Sequence, residues 1–240
     1  MTDIVNKMNN DDQFITELTI AIKKQSFDEV KSIVDNYKNV QNIDINKQNE
    51  NGFTIFMEAT YFKNVKIIAF LYEKFKDKID INIINKGGRT AFMIAAYNPN
   101  VEVITFLYEK FKDQIDINLQ NKNGYTAFMK AVDNPNVEII IFLYEKFKDK
   151  IDINSQNKNG DTAFMLAAYN PNIEVIKFLY DKFQDKIDIN FTSKYGDTTF
   201  MKAADNQNVE IITFLYKKFK DKINNINLTK SDSNSGLIND

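Results

Sequence analysis

At 240 residues, 43% apolar and 13% aromatic, the chain has enough material for one sizeable domain or two small ones. A formal net charge of -2 and a pI near 5.4 supply no broad positive field, which sets nucleic acid and anionic membrane surfaces aside as partners. With no Cys there is neither a disulfide framework nor thiolate metal ligation, and with no His the usual general base, the commonest metal ligand and the physiological pH switch are all missing.

The opening "MTDIVNKMNNDDQF" has no basic region followed by an apolar one, so it does not read as a secretory signal, and residues 1–12 are expected to be a flexible N-terminus. Apolar runs such as "IIIFLY" at 139–144 fall far short of the ~20 residues a membrane span requires. The expectation is a soluble, cytoplasmic protein with no membrane partner.

A period of 36 residues then governs the chain: Gly52, Gly88, Gly124, Gly160 and Gly196 keep it, as do Pro99, Pro135 and Pro171 and the "DIN" triplets ending at Asn82, Asn118, Asn154 and Asn190. A divergent copy stands in front, where Leu18, Ala21, Val30 and Ile33 align with Phe92, Ala95, Ile104 and Leu107. The expected organisation is an array over 13–227, with a divergent capping unit 13–48 and units 49–84, 85–120, 121–156, 157–192 and 193–227. Residues 228–240 are expected to be a polar, mobile tail.

The third unit serves as the template. In "NKGGRT" Asn85 opens a turn and Gly88 suits its fourth position, as in a type I turn; an Asn-Gly type I′ hairpin competes in the "NENG" and "NKNG" fingers. Thr90 is the N-cap of a short helix over "AFMIAA", which "YNPN" breaks because Pro99 disfavours helical geometry before it. Asn100 caps a second helix, with Glu102 in its first turn. Ile104, Leu107, Tyr108 and Phe111 recur at helical spacing, and Val103 and Phe106 widen the apolar arc until it needs more than one neighbour. The alternation in "IDIN" predicts a short extended strand. No two-helix piece of this size buries its own apolar arc, so each copy must shield the next. Burial of Phe92, Ile104, Leu107 and Phe111 at roughly 1.5–3 kcal/mol each makes the neighbour interface a main source of stability.

The order of these motifs, five times over from 13 to 227, strongly resembles the ankyrin repeat. The resemblance implies an all-α, ankyrin-type solenoid of stacked helix pairs with short β-hairpin-like fingers, in which fingers and inner helices line a concave binding surface. Three features depart from the family pattern. Thr54, Thr90, Thr126, Thr162 and Thr198 keep the Thr of Thr-Pro-Leu-His, but Met57, Met93, Met129, Met165 and Met201 replace its His, so that a polar tie becomes an apolar one. The unit also runs three residues longer than the usual 33, expected as nearly one more turn of outer helix carrying Phe111. The Gly that usually ends this helix is missing from "KFKDQID", with Phe75, Phe111, Phe147, Phe183 and Phe219 offered as compensation by burial.

Three rows vary between otherwise uniform units: Phe53, Arg89, Tyr125, Asp161, Asp197 after the Gly; Glu58, Ile94, Lys130, Leu166, Lys202 on the inner helix; and Tyr61, Tyr97, Asp133, Tyr169, Asp205 at its end. By the resemblance these rows face the concave side. The partner-binding candidates are Phe53, Glu58, Arg89, Ile94, Tyr97, Tyr125, Lys130, Asp133, Asp161 and Tyr169, which include the Tyr and Arg favoured at binding hot spots. Neutral surface drift is the competing reading. Catalytic, cofactor and metal sites are expected to be absent: Glu102, Asp113 and Asp116 recur as scaffold residues do, the "NPN" turns lack calcium-loop carboxylates, and Gly87-Gly88 lacks a phosphate-loop context. The function expected is a non-enzymatic scaffold for a protein partner. The alternative is a self-assembling solenoid associating weakly through its last unit, where Phe214, Leu215 and Phe219 are expected to need covering by the tail, through Leu237 and Ile238, or by another chain.

Overall fold

A computed structural model of the chain describes residues 10–38, 40–134 and 136–222. Among them are twelve α-helices, the single 3-10 turns Val40–Asn42 and Lys220–Lys222, and no strand. Two compact units divide the chain, Met1–Lys122 and Asn123–Asp240. The first holds α1 (Asn10–Lys23), α2 (Phe27–Asn36), α3 (Ile55–Tyr61), α4 (Val65–Phe75), α5 (Ala91–Tyr97) and α6 (Val101–Phe111). The second holds α7 (Ala127–Asp133), α8 (Val137–Phe147), α9 (Ala163–Tyr169), α10 (Ile173–Phe183), α11 (Thr199–Asp205) and α12 (Val209–Phe219). In the first, α3 packs between α1 and α5, and α4 between α2 and α6; in the second, α9 packs between α7 and α11, and α10 between α8 and α12.

Local chemistry sets the helix starts. Thr90, in extended backbone, accepts the Met93 N–H at 3.2 Å, and Thr54, Thr126, Thr162 and Thr198 cap their inner helices in the same way. Asn100 accepts the Glu102 N–H at 2.9 Å to start α6. Where Pro is missing from the turn between paired helices, the chain turns on a left-handed residue instead: Gln25, Lys63 and Gln207 have φ of 56°, 66° and 55°. The replacement Met side chains are buried in the inner helices.

The outer helices keep one face dry. In α6 Val103, Ile104, Leu107 and Phe111 are buried, and Phe111 is the last helical residue, its ring edge-on to Phe56 at 5.8 Å and Tyr72 at 5.5 Å of the preceding helix pair. Phe183 repeats this against Phe128 and Tyr144, and Phe219 against Phe164 and Tyr180. Without a terminal Gly, a turn in which Gln114 N–H donates to Phe111 O at 2.8 Å closes the helix.

Four expectations are corrected. "IDIN" is not a strand: Ile79 and Ile81 are buried as alternation requires, but Asn82 N–H donates to the Asp80 carboxylate at 2.9 Å, and Asn118, Asn154 and Asn190 repeat this turn. With no strand beside it, the segment satisfies its amides locally. Its Asn also reaches forward: Asn46 donates to Lys78 O at 2.6 Å and accepts from Asp80 N–H at 3.1 Å, and Asn154 does the same to Lys186 and Asp188. The fingers are turns without strands: Gly88 N–H donates to Asn85 O at 2.8 Å, Asn85 N–H to Arg89 O at 3.0 Å, and φ is positive only at the Gly, which is the type I turn with a left-handed fourth residue rather than type I′. Helix α1 begins at Asn10, inside the stretch read as an N-terminal tail, because Asp11 and Asp12 suit its first turn and bind Tyr37 and Lys47. Finally, Leu215 and Phe219 are already buried, the Phe219 ring edge-on to Phe164 of α9 and Tyr180 of α10, and Phe214 is half-buried against Tyr180 at 5.6 Å. The N-terminal residues 1–9 and the tail 228–240 lie outside the described residues.

Candidate partner-binding surfaces

In the first unit the finger after Asn49 and the inner helices α3 and α5 bring an aromatic and cationic group to the surface. Asn49 Oδ1 accepts the N–H groups of Asn51 and Phe53 at 2.9 and 3.0 Å, which holds the finger and projects Phe53. The half-buried Phe53 ring stands edge-on to Tyr61 at 6.1 Å, and Tyr61 edge-on to Phe62 at 5.4 Å. Tyr61, Tyr97 and Arg89 are exposed. Asn85 Oδ1 braces the third finger in the same manner, accepting Gly87 and Arg89 N–H at 2.9 and 3.0 Å.

Two candidates of this unit are not on the surface. Glu58 is only 7% exposed because its carboxylate accepts the Asn49 amide at 2.6 Å, fastening finger to helix. Ile94, in the middle of α5, is 6% exposed.

The second unit presents a charged group. Lys130 lies 3.9 Å above the centre of the Tyr125 ring and 3.0 Å from Asp133. Burial, and after it the negative charges of Asp133 and Asp161, push the Tyr125 phenol above its ordinary range, against a hydrogen bond with Asn157. Asp161, 5% exposed, faces Lys202 Nζ at 3.0 Å, and Asp197 completes the triad at 3.5 Å. The Asp161 Oδ1 contact is an ion pair without a well-directed hydrogen bond. Burial lowers the Lys202 ammonium, but Asp161 and then Asp197 outweigh that and hold it above the usual lysine range. Asp161 is thus a third candidate that the structure buries, here because it meets a cation from the next inner helix. Tyr169 and Asp133 are exposed, and Tyr125 and Lys130 are half-buried.

Sequence reading missed the asparagines that tie successive turns together. Asn170, buried, donates to Val132 O at 2.7 Å and accepts the Asn172 N–H at 2.9 Å; Asn206 donates to Asn170 O at 3.1 Å, and Asn98 to Thr60 O at 3.5 Å. Their recurrence at one place in four successive turns, Asn98, Asn134, Asn170 and Asn206, was the available signal. Among the described residues no three His, Cys, Asp or Glu side chains group so as to hold a metal ion, and no helix is long and apolar enough to cross a membrane.

The family model described as "Ankyrin repeats (3 copies)" matches residues 77–157 and 148–227, and the one described as "Ankyrin repeats (many copies)" matches 18–72. Among solved structures, the chain is similar to one in the complex titled "Bd0816 Predatory Endopeptidase from Bdellovibrio bacteriovorus in complex with immunity protein Bd3460", with 28% identity and a TM-score of 0.69 over 84% of this chain and 97% of that one. No curated protein matches the chain. Ankyrin repeats generally mediate protein–protein interaction. Matches across two stretches that take in most of the residues, on a scaffold of Thr-capped inner helices, longer outer helices and Gly-tipped fingers, make this chain a member of the ankyrin-repeat family.

Proposed function

We propose that the chain is a non-enzymatic scaffold of six units, 13–48 through 193–227, which holds a protein partner on its finger and inner-helix faces. One observation carries the reading: positions that build the scaffold repeat from unit to unit, whereas the exposed positions of these faces change and offer Arg89, Tyr61, Tyr97 and Tyr169. Such side chains give contact area and hydrogen bonds at modest entropic cost. The family supports a protein ligand, and so does the likeness to a chain from a complex of a peptidase and its immunity protein. Residues closed over by the chain itself, Glu58, Ile94 and Asp161, serve this reading by fixing the surface rather than by touching the partner.

The test is affinity capture from source cells with the wild-type chain and with Arg89→Glu and Tyr97→Ala, singly and together. Both positions are exposed, so the variants keep the wild-type circular dichroism and melting. Each single change is expected to weaken capture of a common protein about tenfold or more, the scale of a hot-spot side chain. Equal recovery of every captured protein by all four chains would exclude these faces.

A further inference from the structure

Away from the fingers and inner helices, the first unit carries a groove of about 400 Å³ between its outer helices α4 and α6. Val65 lines it from α4, and Val101, Glu102, Thr105, Phe106 and Glu109 line it from α6. Val65, Val101, Thr105 and Phe106 are half-buried, and the two carboxylates are exposed. Glu102 and Glu109 stand seven positions apart, which on an α-helix puts them on one face and separates them by about 10 Å along the axis.

Among the described residues neither carboxylate has a cation within ion-pair distance. The lysines of α4 turn the other way, toward α2: Lys66 lies 3.9 Å above the centre of the Phe27 ring, and Lys74 lies 2.8 Å from the Asp35 carboxylate. Lys110 of α6 stands over the Tyr72 and Phe106 rings, at 5.2 and 5.8 Å. On α10 the same two acidic positions are answered from within the helix. Lys177, in the place of Thr105, pairs with Glu174 at 3.0 Å, and Lys182 pairs with Asp181 at 2.7 Å. The second unit thus displays the group that satisfies this pattern, an ammonium on an aliphatic stem, where α6 has the short Thr105.

We propose that the groove between α4 and α6 docks an amphipathic basic helix of a protein partner, with one Lys or Arg on Glu102, a second on Glu109 and apolar side chains between them on Val65, Val101 and Phe106. The spacing of the carboxylates selects a helix. Cations seven positions apart on a helix share one face and the same rise of about 10 Å. An extended strand returns to one face at about 6.6 Å or about 13 Å, so it would miss one carboxylate. Long cationic side chains suit this lining, because their stems cover apolar surface while their heads stay in water beside the acids. The contact is the helix-in-groove mode of recognition, and it adds a second attachment surface to the finger and inner-helix faces.

The probe is a fluorescein-labelled, Ala-based synthetic helix of about 18 residues, with two Lys seven positions apart and two Leu between them on the same face. Fluorescence anisotropy with the full 240-residue chain is expected to show saturable binding. A peptide of the same composition with its two Lys five positions apart, and so on different faces, is expected to bind several-fold more weakly. Glu102→Gln combined with Glu109→Gln is expected to weaken binding of the first peptide about fivefold, the scale of two exposed ion pairs. Thr105→Lys, which gives α6 the lysine of α10, is expected to weaken it by a similar factor, and Tyr97→Ala on the inner-helix face to leave it unchanged. All three positions on α6 reach the surface, so these variants keep the wild-type circular dichroism. The proposal would be overturned by a wild-type chain that fails to bind, by equal binding of the two peptides, or by unchanged affinity in either α6 variant. Loss of binding in Tyr97→Ala would place the peptide on the inner-helix face and overturn it as well.

Discussion

Asn170 offers a sharp test of what joins neighbouring helix pairs. Its amide donates to the Val132 carbonyl at 2.7 Å while its oxygen accepts the Asn172 N–H at 2.9 Å, and the side chain is buried. Asn170→Ala removes both bonds and leaves the Val132 carbonyl without a partner, a cost of about 2–3 kcal/mol. Asn170→Asp keeps the shape and the acceptor but sets a carboxylate oxygen against that carbonyl, so it should cost more, about 3–5 kcal/mol at pH 7. Burial and the carbonyl raise the folded-state pKa of the introduced carboxyl above its ordinary ~3.9. The extra penalty is therefore absent below that value and grows as pH rises through the raised pKa. Urea unfolding followed by far-ultraviolet circular dichroism is the assay. With a slope of about 2 kcal/mol/M, the Ala variant should lose roughly 1–1.5 M in midpoint. The Asp variant should fall further at pH 7 and approach the Ala variant near pH 4. Equal midpoints at pH 7, or a gap that ignores pH, would refute the reasoning.

Three further outcomes are expected. Gly88→Ala combines a φ of +75° with a Cβ only 2.6 Å from Lys122 N and should cost about 3 kcal/mol or more, whereas Gly87→Ala, whose Cβ meets Asn85 Oδ1 at 3.2 Å, should change the unfolding midpoint little. Lys63→Gly relieves a left-handed lysine on an exposed turn, and thermal melting should show a gain of about 0.5–1 kcal/mol. The Tyr37 phenol, bound to Asp11 at 2.5 Å, is pushed up to about 12, so Asp11→Asn should return one phenolate transition to the ordinary range in an ultraviolet titration; in wild type the Tyr37 contribution to stability is present below the ordinary value near 10 and is lost as pH rises toward 12.

Period, caps and apolar arcs were legible in the sequence because each rests on short-range geometry. Thr90 must precede a helix that starts at Ala91, and Ile104, Leu107 and Phe111 fall on one face whatever lies beyond them. Finger geometry was half legible: the Asn and Gly at its ends defined a turn, but only the negative φ of Asn51, Asn123 and Asn159 separated the two turn types. Exposure on the inner helix was not legible. Ile94 is buried while Lys130, Leu166 and Lys202 at the same register are half-buried, a difference made by neighbouring helices. Asp161 meets Lys202 from 41 positions away, and Asn170 meets Val132 from 38, distances at which no local pattern operates.

The side-chain ties from one turn or loop to the next join residues a nearly constant distance apart, 32 positions for Asn46 to Lys78, 36 for Gln48 to Ile84 and 39 for Asn64 to Gln25. Splicing one whole 36-residue cassette into either compact unit, or out of it, would therefore leave each donor opposite an equivalent acceptor. For such a molecule, growth is a matter of counting: reach toward a larger or smaller ligand can be altered by duplication or loss of a cassette, with no new long-range pairing to be invented.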